Sequence, residues 1–180
     1  MSTPRIGRLT TSSWQEQMDL LGATVAHALA GWSHGDHVGV AEIDPELADT
    51  AAMTEAYDVP LTASANCVVV SGKRAGEERI AACVVRADTR ADVNTVVKHL
   101  LDVRKASFHP MDRAVAETRM EYGGITPLGL PADWRILVDA EVLDVEVAII
   151  GSGVRRSKLV LPGALLAELP GAEVVEGLGR

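Results

Sequence analysis

The residues most able to do chemistry sit in two glycine-containing bends. The first is Glu121-Tyr122-Gly123-Gly124-Ile125-Thr126-Pro127-Leu128-Gly129-Leu130-Pro131, with three glycines and two prolines inside nine positions. Glycine accepts positive φ and lets another molecule approach the backbone, while proline fixes φ and biases its predecessor toward extended geometry. The product is a rigid, irregular loop with exposed amides, able to grip a carbonyl oxygen or a phosphate. The second bend is Gly151-Ser152-Gly153, directly after the apolar run Val145 to Ile150. Asp139 ends an apolar run between the two bends and reads either as a polar anchor or as the cap of a turn beginning at Ala140. Loop amides arranged this way can stabilise an oxyanion, which is compatible with acyl transfer or ester hydrolysis. Two tight connections would give the same composition.

Other chemistries find less support. His34 and His37 have no third His or Cys at ligand spacing, so no metal is expected. Val147 to Gly153 starts like a dinucleotide-binding strand and turn, but Arg156 stands where the third glycine belongs. A P-loop lacks its GK[ST] ending, and no G-x-S-x-G elbow is present around Ser152. Cys67 and Cys83 face each other if a hairpin is symmetric about Ala75. They then read as small buried hydrophobes or as a thiol pair.

The 180 residues suit one domain, with 47% hydrophobic and 23% charged residues. No apolar run approaches the roughly 20 residues of a membrane helix. The Met1 to Arg5 start lacks an apolar signal core, and two cysteines make no disulfide framework, so a cytoplasmic location is expected. A formal charge of −8 and 3% aromatic residues argue against broad nucleic-acid binding surfaces. Any such contact must be local. The small basic clusters are Lys73-Arg74, Arg104-Lys105, and Arg155-Arg156 with Lys158.

The elements that carry these bends are mixed. Ser13 and Glu16 have capping-box spacing before a helix through Leu21, Val25, Leu29 and Trp32. A strand near Val38 to Ile43 follows, then Asp44-Pro45-Glu46 opens a helix that stops before Pro60. Cys67 to Val70 and Ile80 to Val85 form an antiparallel hairpin. Val93, Val96, Val97, Leu100 and Leu101 repeat at helical spacing. After a strand near Phe108, a helix starts at Pro110. Ile136 to Asp139, Val145 to Ile150 and Leu159 to Leu161 are strands, Ala164 to Leu169 is helical, and Val174-Val175 is an edge strand. This order favours an α+β fold with a mixed sheet over a doubly wound one.

Gly123 to Gly129, then Val138-Asp139-Ala140, then Ile150 to Gly153, in that order, resembles the YbaK family, the prolyl-tRNA-synthetase-associated editing domain. The resemblance spans roughly residues 35 to 175. It implies a mostly antiparallel, barrel-like mixed sheet flanked by helices, with residues 1–34 as an N-terminal helical extension and 35–180 as the editing domain. It implies hydrolysis, in trans, of the ester of a mischarged tRNA. The expected partners are the tRNA acceptor end and an aminoacyl-tRNA synthetase, with no cofactor and no membrane. By analogy Gly123, Gly124, Thr126 and Pro127 form the pocket loop, and Gly151, Ser152 and Gly153 the opposite wall, with Asp139 nearby. Family members carry a lysine on the strand that opens the hairpin, where the matching places Cys67. Cys67 is therefore the candidate catalytic residue. The alternative is a binding module for an aminoacyl-adenosine or small metabolite, without turnover.

Overall fold

A computed structural model describes residues 4–180, so the first three positions of the expected extension and signal-free start lie outside the described residues. Nine strands are present among the described residues: β1 (Thr11–Ser13), β2 (Gly39–Glu42), β3 (Ala65–Arg74), β4 (Glu77–Arg86), β5 (Ala106–Phe108), β6 (Arg135–Asp139), β7 (Ala148–Gly151), β8 (Ser157–Leu161) and β9 (Ala172–Val175). The α-helices are α1 (Ala23–Gly31), α2 (Thr50–Tyr57), α3 (Lys98–Leu100), α4 (Met111–Thr118) and α5 (Ala140–Leu143). The class is α+β, as the element order implied. The strands, however, divide into two sheets that do not close into a barrel. One has the order β1-β2-β8-β7 and is antiparallel; the other is β5-β3-β4-β6-β9, with β6 parallel to both β4 and β9.

Alternation along the strands explains the layers. Ala65, Val84, Ile136 and Val138 of the larger sheet share a core with Val40, Ile150, Leu159 and Leu161 of the smaller one. Trp14, Leu21, Val25, Leu29 and Trp32 complete that core, so the N-terminal segment belongs to it. The opposite face of the larger sheet carries Val70, Cys83, Val85 and Leu137 against Val97, Leu101 and Leu178. The opposite face of the smaller sheet carries Ala41, Ile149 and Val160 against Ala48 and Met53, which lie in and beside α2.

Three local expectations change. The first helix begins at Ala23, because Ser13 lies in β1, its hydroxyl donates to Gln15, and Gly22 is extended. The apolar repeat from Val93 starts as a π turn (Val93–Val97) before α3. Its cap is Asp92, whose carboxylate accepts from the Thr95 amide at 3.0 Å. The Asp92 amide in turn donates to Leu178 O at 2.8 Å, so the C-terminal segment holds the start of that turn. The hairpin turns through two residues, Ala75 and Gly76, both at positive φ (52° and 85°), as a tight right-twisted hairpin requires. That turn pairs Cys67 with Val84 and Val68 with Cys83. The expected Cys67–Cys83 pairing is therefore off by one residue, and one residue of slip puts the two thiols on opposite faces.

No helix among the described residues is long and apolar enough to cross a membrane.

Candidate functional site

Beyond their shared core, the two sheets are joined by a parallel bridge between Ser64 and Ile149. Beside it, β5 covers only Val70 to Gly72 of β3, which leaves the Ala65 to Val68 half of that edge without a strand partner on this side. A cleft of about 290 Å³ opens there. Its walls are Ser64 to Val68, the Ala48 to Thr50 turn with Met53, the Tyr122-Gly123 bend, Ile149 to Gly151, and Lys158. The two glycine bends thus meet beside Cys67.

Backbone hydrogen bonds lock the bends together. The Glu121 amide donates to Gly153 O at 2.9 Å, and the Gly153 amide donates to Gly124 O at 2.8 Å. Such closeness needs glycine: a Cβ on Gly124 would lie 2.7 Å from Val154 N, and one on Gly151 would lie 2.5 Å from Gly124 O. Arg155 laces the assembly to the Ala48 turn. Its amide donates to the Glu121 carboxylate at 2.6 Å, its guanidinium donates to Pro45 O at 3.1 Å, and it lies over the Tyr122 ring. At the other wall the Thr50 hydroxyl donates to Asn66 Oδ1 at 2.8 Å.

Of the residues singled out in the sequence, Cys67, Gly123 and Gly151 line the cleft. Gly124 and Gly153 lie behind its wall as the locking pair. Ser152 is fully buried, and its hydroxyl donates to Ser157 O at 2.9 Å and accepts from the Ser157 hydroxyl at 2.7 Å. That hydroxyl is spent on holding the bend. Thr126 and Pro127 are buried in the loop's interior and are not cleft-lining. Asp139 is also outside the cleft. Its carboxylate lies against Gly179; burial raises its pKa, and the Gly179 and Leu178 amides nearby offset part of that rise.

Cys67 has no feature that activates a thiol. Cys67 is half-buried at the cleft wall, and desolvation there, with Cys83 nearby, pushes its pKa well above the ordinary cysteine range; burial pushes Cys83 up to about 12. A thiolate is the nucleophilic form, so both thiols are held in their unreactive state.

The group that sequence reasoning passes over is Lys158. It lies in β8 opposite Ala41 and Gly151, on the same face as Val160. Cross-strand partners share a face, so Lys158 lies on the face of Ala41 and Gly151. Lys158 is only 7% exposed, and its ammonium donates to Ala48 O at 2.9 Å and reaches Gly123 O at 3.5 Å. Burial, helped by Arg155 and opposed by Asp49, lowers its pKa to about 8. The signal was present as a lysine inside the apolar strand Ser157-Lys158-Leu159-Val160-Leu161. Such a residue is rarely buried without a function or a partner.

A family model described as the aminoacyl-tRNA editing domain matches residues 44–169, and the chain belongs to that family. Solved structures with the same fold include the hypothetical protein APE2540, at 20% identity and a TM-score of 0.75, covering 87% of this chain and 99% of that one. Another is a candidate trans-editing enzyme for prolyl-tRNA synthetase, at 18% identity and a TM-score of 0.73, covering 88% of this chain and 96% of that one. Identities this low establish likeness of fold. No curated protein sequence matches the chain.

Proposed function

We propose that the protein hydrolyses the ester of a mischarged tRNA in trans, with the aminoacyl group held in the cleft between the two glycine bends. The observation that supports this reading most is their convergence on one open cleft in a member of the editing-domain family. At about 290 Å³ the cleft is at the small end for ligand sites, suited to an aminoacyl group and the adjoining ribose. The acceptor stem then stays outside, in keeping with the net charge of −8. An ester is already reactive, so orientation and stabilisation of the developing oxyanion can suffice without a protein nucleophile. A second, hydrolytic site also supplies discrimination that one amino-acid pocket cannot.

Incubation with a panel of mischarged tRNAs tests this. Faster ester loss than in buffer for at least one amino acid is expected. Loss at the buffer rate throughout the panel overturns it. Saturable binding of an aminoacyl-adenosine analogue without turnover would instead establish the binding-module alternative. That alternative rests on Cys67 standing where a lysine was expected, and Lys158 in the same cleft weighs against it.

A further inference from the structure

The geometry points to Lys158 as the group that binds the ester carbonyl oxygen and stabilises its negative charge during hydrolysis, in place of any residue of the hairpin strand. The inference rests on the proposed deacylase reading and assigns the cation of that site.

Three observations carry it. First, Lys158 is a charged side chain inside a strand whose neighbours Leu159, Val160 and Leu161 are all buried, and its own residue is 7% exposed. A buried ammonium is costly, and a structural role would call for a carboxylate partner at contact distance. No carboxylate within ion-pair distance of Lys158 is found among the described residues. Its recorded partners are two neutral carbonyls, Ala48 O and Gly123 O. Second, an ammonium has three N–H donors. Two are aimed at those carbonyls, and the third is free for a ligand in the cleft that Lys158 lines. Third, both carbonyls belong to cleft walls, the α2-side turn and the glycine bend. They therefore fix the ammonium in the site before substrate arrives, as preorganised electrostatic stabilisation requires.

In the step this serves, a water oxygen attacks the ester carbonyl carbon and the carbonyl oxygen takes up negative charge facing the Lys158 ammonium. The tetrahedral species collapses with cleavage of the bond to the ribose oxygen. That oxygen takes the proton that the water gave up, so the products are the free amino acid and tRNA with its terminal hydroxyl restored. Lys158 keeps its protons throughout. The charged groups around it are Asp49, which favours its protonation, and Arg155, which opposes it. Cys67 and Tyr122 also line the cleft, and burial holds the Cys67 thiol neutral.

The test uses the mischarged tRNA that the wild-type protein deacylates fastest. Lys158→Met matches the stem and removes the charge. It should lower kcat by about 100-fold or more, as loss of an oxyanion donor does, with KM changed much less. The wild-type rate, corrected for the buffer rate, should fall as the pH is raised through about 8, where the ammonium is lost. A folded Lys158→Met, shown by an unchanged circular dichroism spectrum, that deacylates within threefold of wild type overturns the inference while leaving the deacylase reading intact. A Lys158→Met profile that keeps the wild-type fall through pH 8 also overturns it, because the fall would then not come from this ammonium. A wild-type protein inactive on the whole panel removes the deacylase reading itself.

Discussion

The buried ammonium should be visible in stability as well as in activity, and the sign can be worked out in advance. In the unfolded chain Lys158 titrates near its ordinary 10.5; in the folded protein burial, helped by Arg155, brings it to about 8. Between those values the unfolded chain holds a proton that the folded protein has given up. Stability rises with pH wherever the unfolded state binds more protons. The contribution is therefore fully present above about 10.5 and is lost as the pH falls through about 8. The gap corresponds to about 3 kcal/mol at about 1.4 kcal/mol per pH unit. Lys158→Met removes this linkage. It also leaves Ala48 O without its 2.9 Å donor, which shifts stability by an amount independent of pH. The informative quantity is thus a double difference: wild type minus Lys158→Met, at pH 7 and again at pH 10. Urea unfolding at both pH values measures it, and every other titrating group is common to both proteins. Relative to the variant, wild type should gain about 2–3 kcal/mol over this range. Curves that stay parallel within about 0.5 kcal/mol would show that Lys158 is not buried as a charge. Lys158 would then not supply a preorganised charge to the cleft.

Further outcomes follow from the locked bends and the silent thiols. Gly124→Ala places a Cβ 2.7 Å from Val154 N and 2.8 Å from Val154 O, both backbone atoms. It should cost about 1–3 kcal/mol in urea unfolding, while Gly31→Ala, with open space around its Cβ, should be neutral or stabilising. Iodoacetamide at pH 8 should leave Cys67 and Cys83 unmodified in the folded protein and modify both in urea; native-state labelling of Cys67 at the rate of a free thiol would restore it as a nucleophile. Ser64→Ala removes a buried hydroxyl that has no hydrogen-bond partner among the described residues. It should leave thermal stability equal or slightly higher, and a loss of more than about 1 kcal/mol would reveal a partner for that hydroxyl.

Much of the architecture was legible because local signals agreed with the packing around them. The hairpin, α4, β6 and β8 fall where apolar runs and turn residues place them. Elements failed where a distant segment decided the outcome. The Val93 to Leu101 repeat reads as a regular helix, yet its first turn is wound wider and is held by residues near Leu178. The Ser13 box has the right spacing, but β1 pairs with β2 and takes Ser13 into a sheet. A symmetric hairpin gave Cys67 the wrong partner, because only the positive φ of both Ala75 and Gly76 fixes a two-residue turn.

The site shows the same division between what is local and what is assembled. Glycines announce themselves, and both bends were legible in the sequence. Their work, however, is split: Gly123 and Gly151 face the cleft, while Gly124 and Gly153 join the bends behind it. Asp139 sat between the bends in sequence and looked like an anchor for them; in space it faces Gly179 at the C-terminal segment. Lys158 was harder to see, since a lysine after Arg155-Arg156 reads as one more surface charge. What separates it from that cluster is register. Pairing with Gly151 and Ala41 turns it onto the face shared by Val160 and Ile149, toward the Ala48 turn. Strand pairing decides which of three adjacent cations enters the cleft, and no periodicity of the segment alone carries that information. The spatial requirement is a fixed ammonium between the two bends. A strand from the far side of the cleft can meet it as well as the hairpin can.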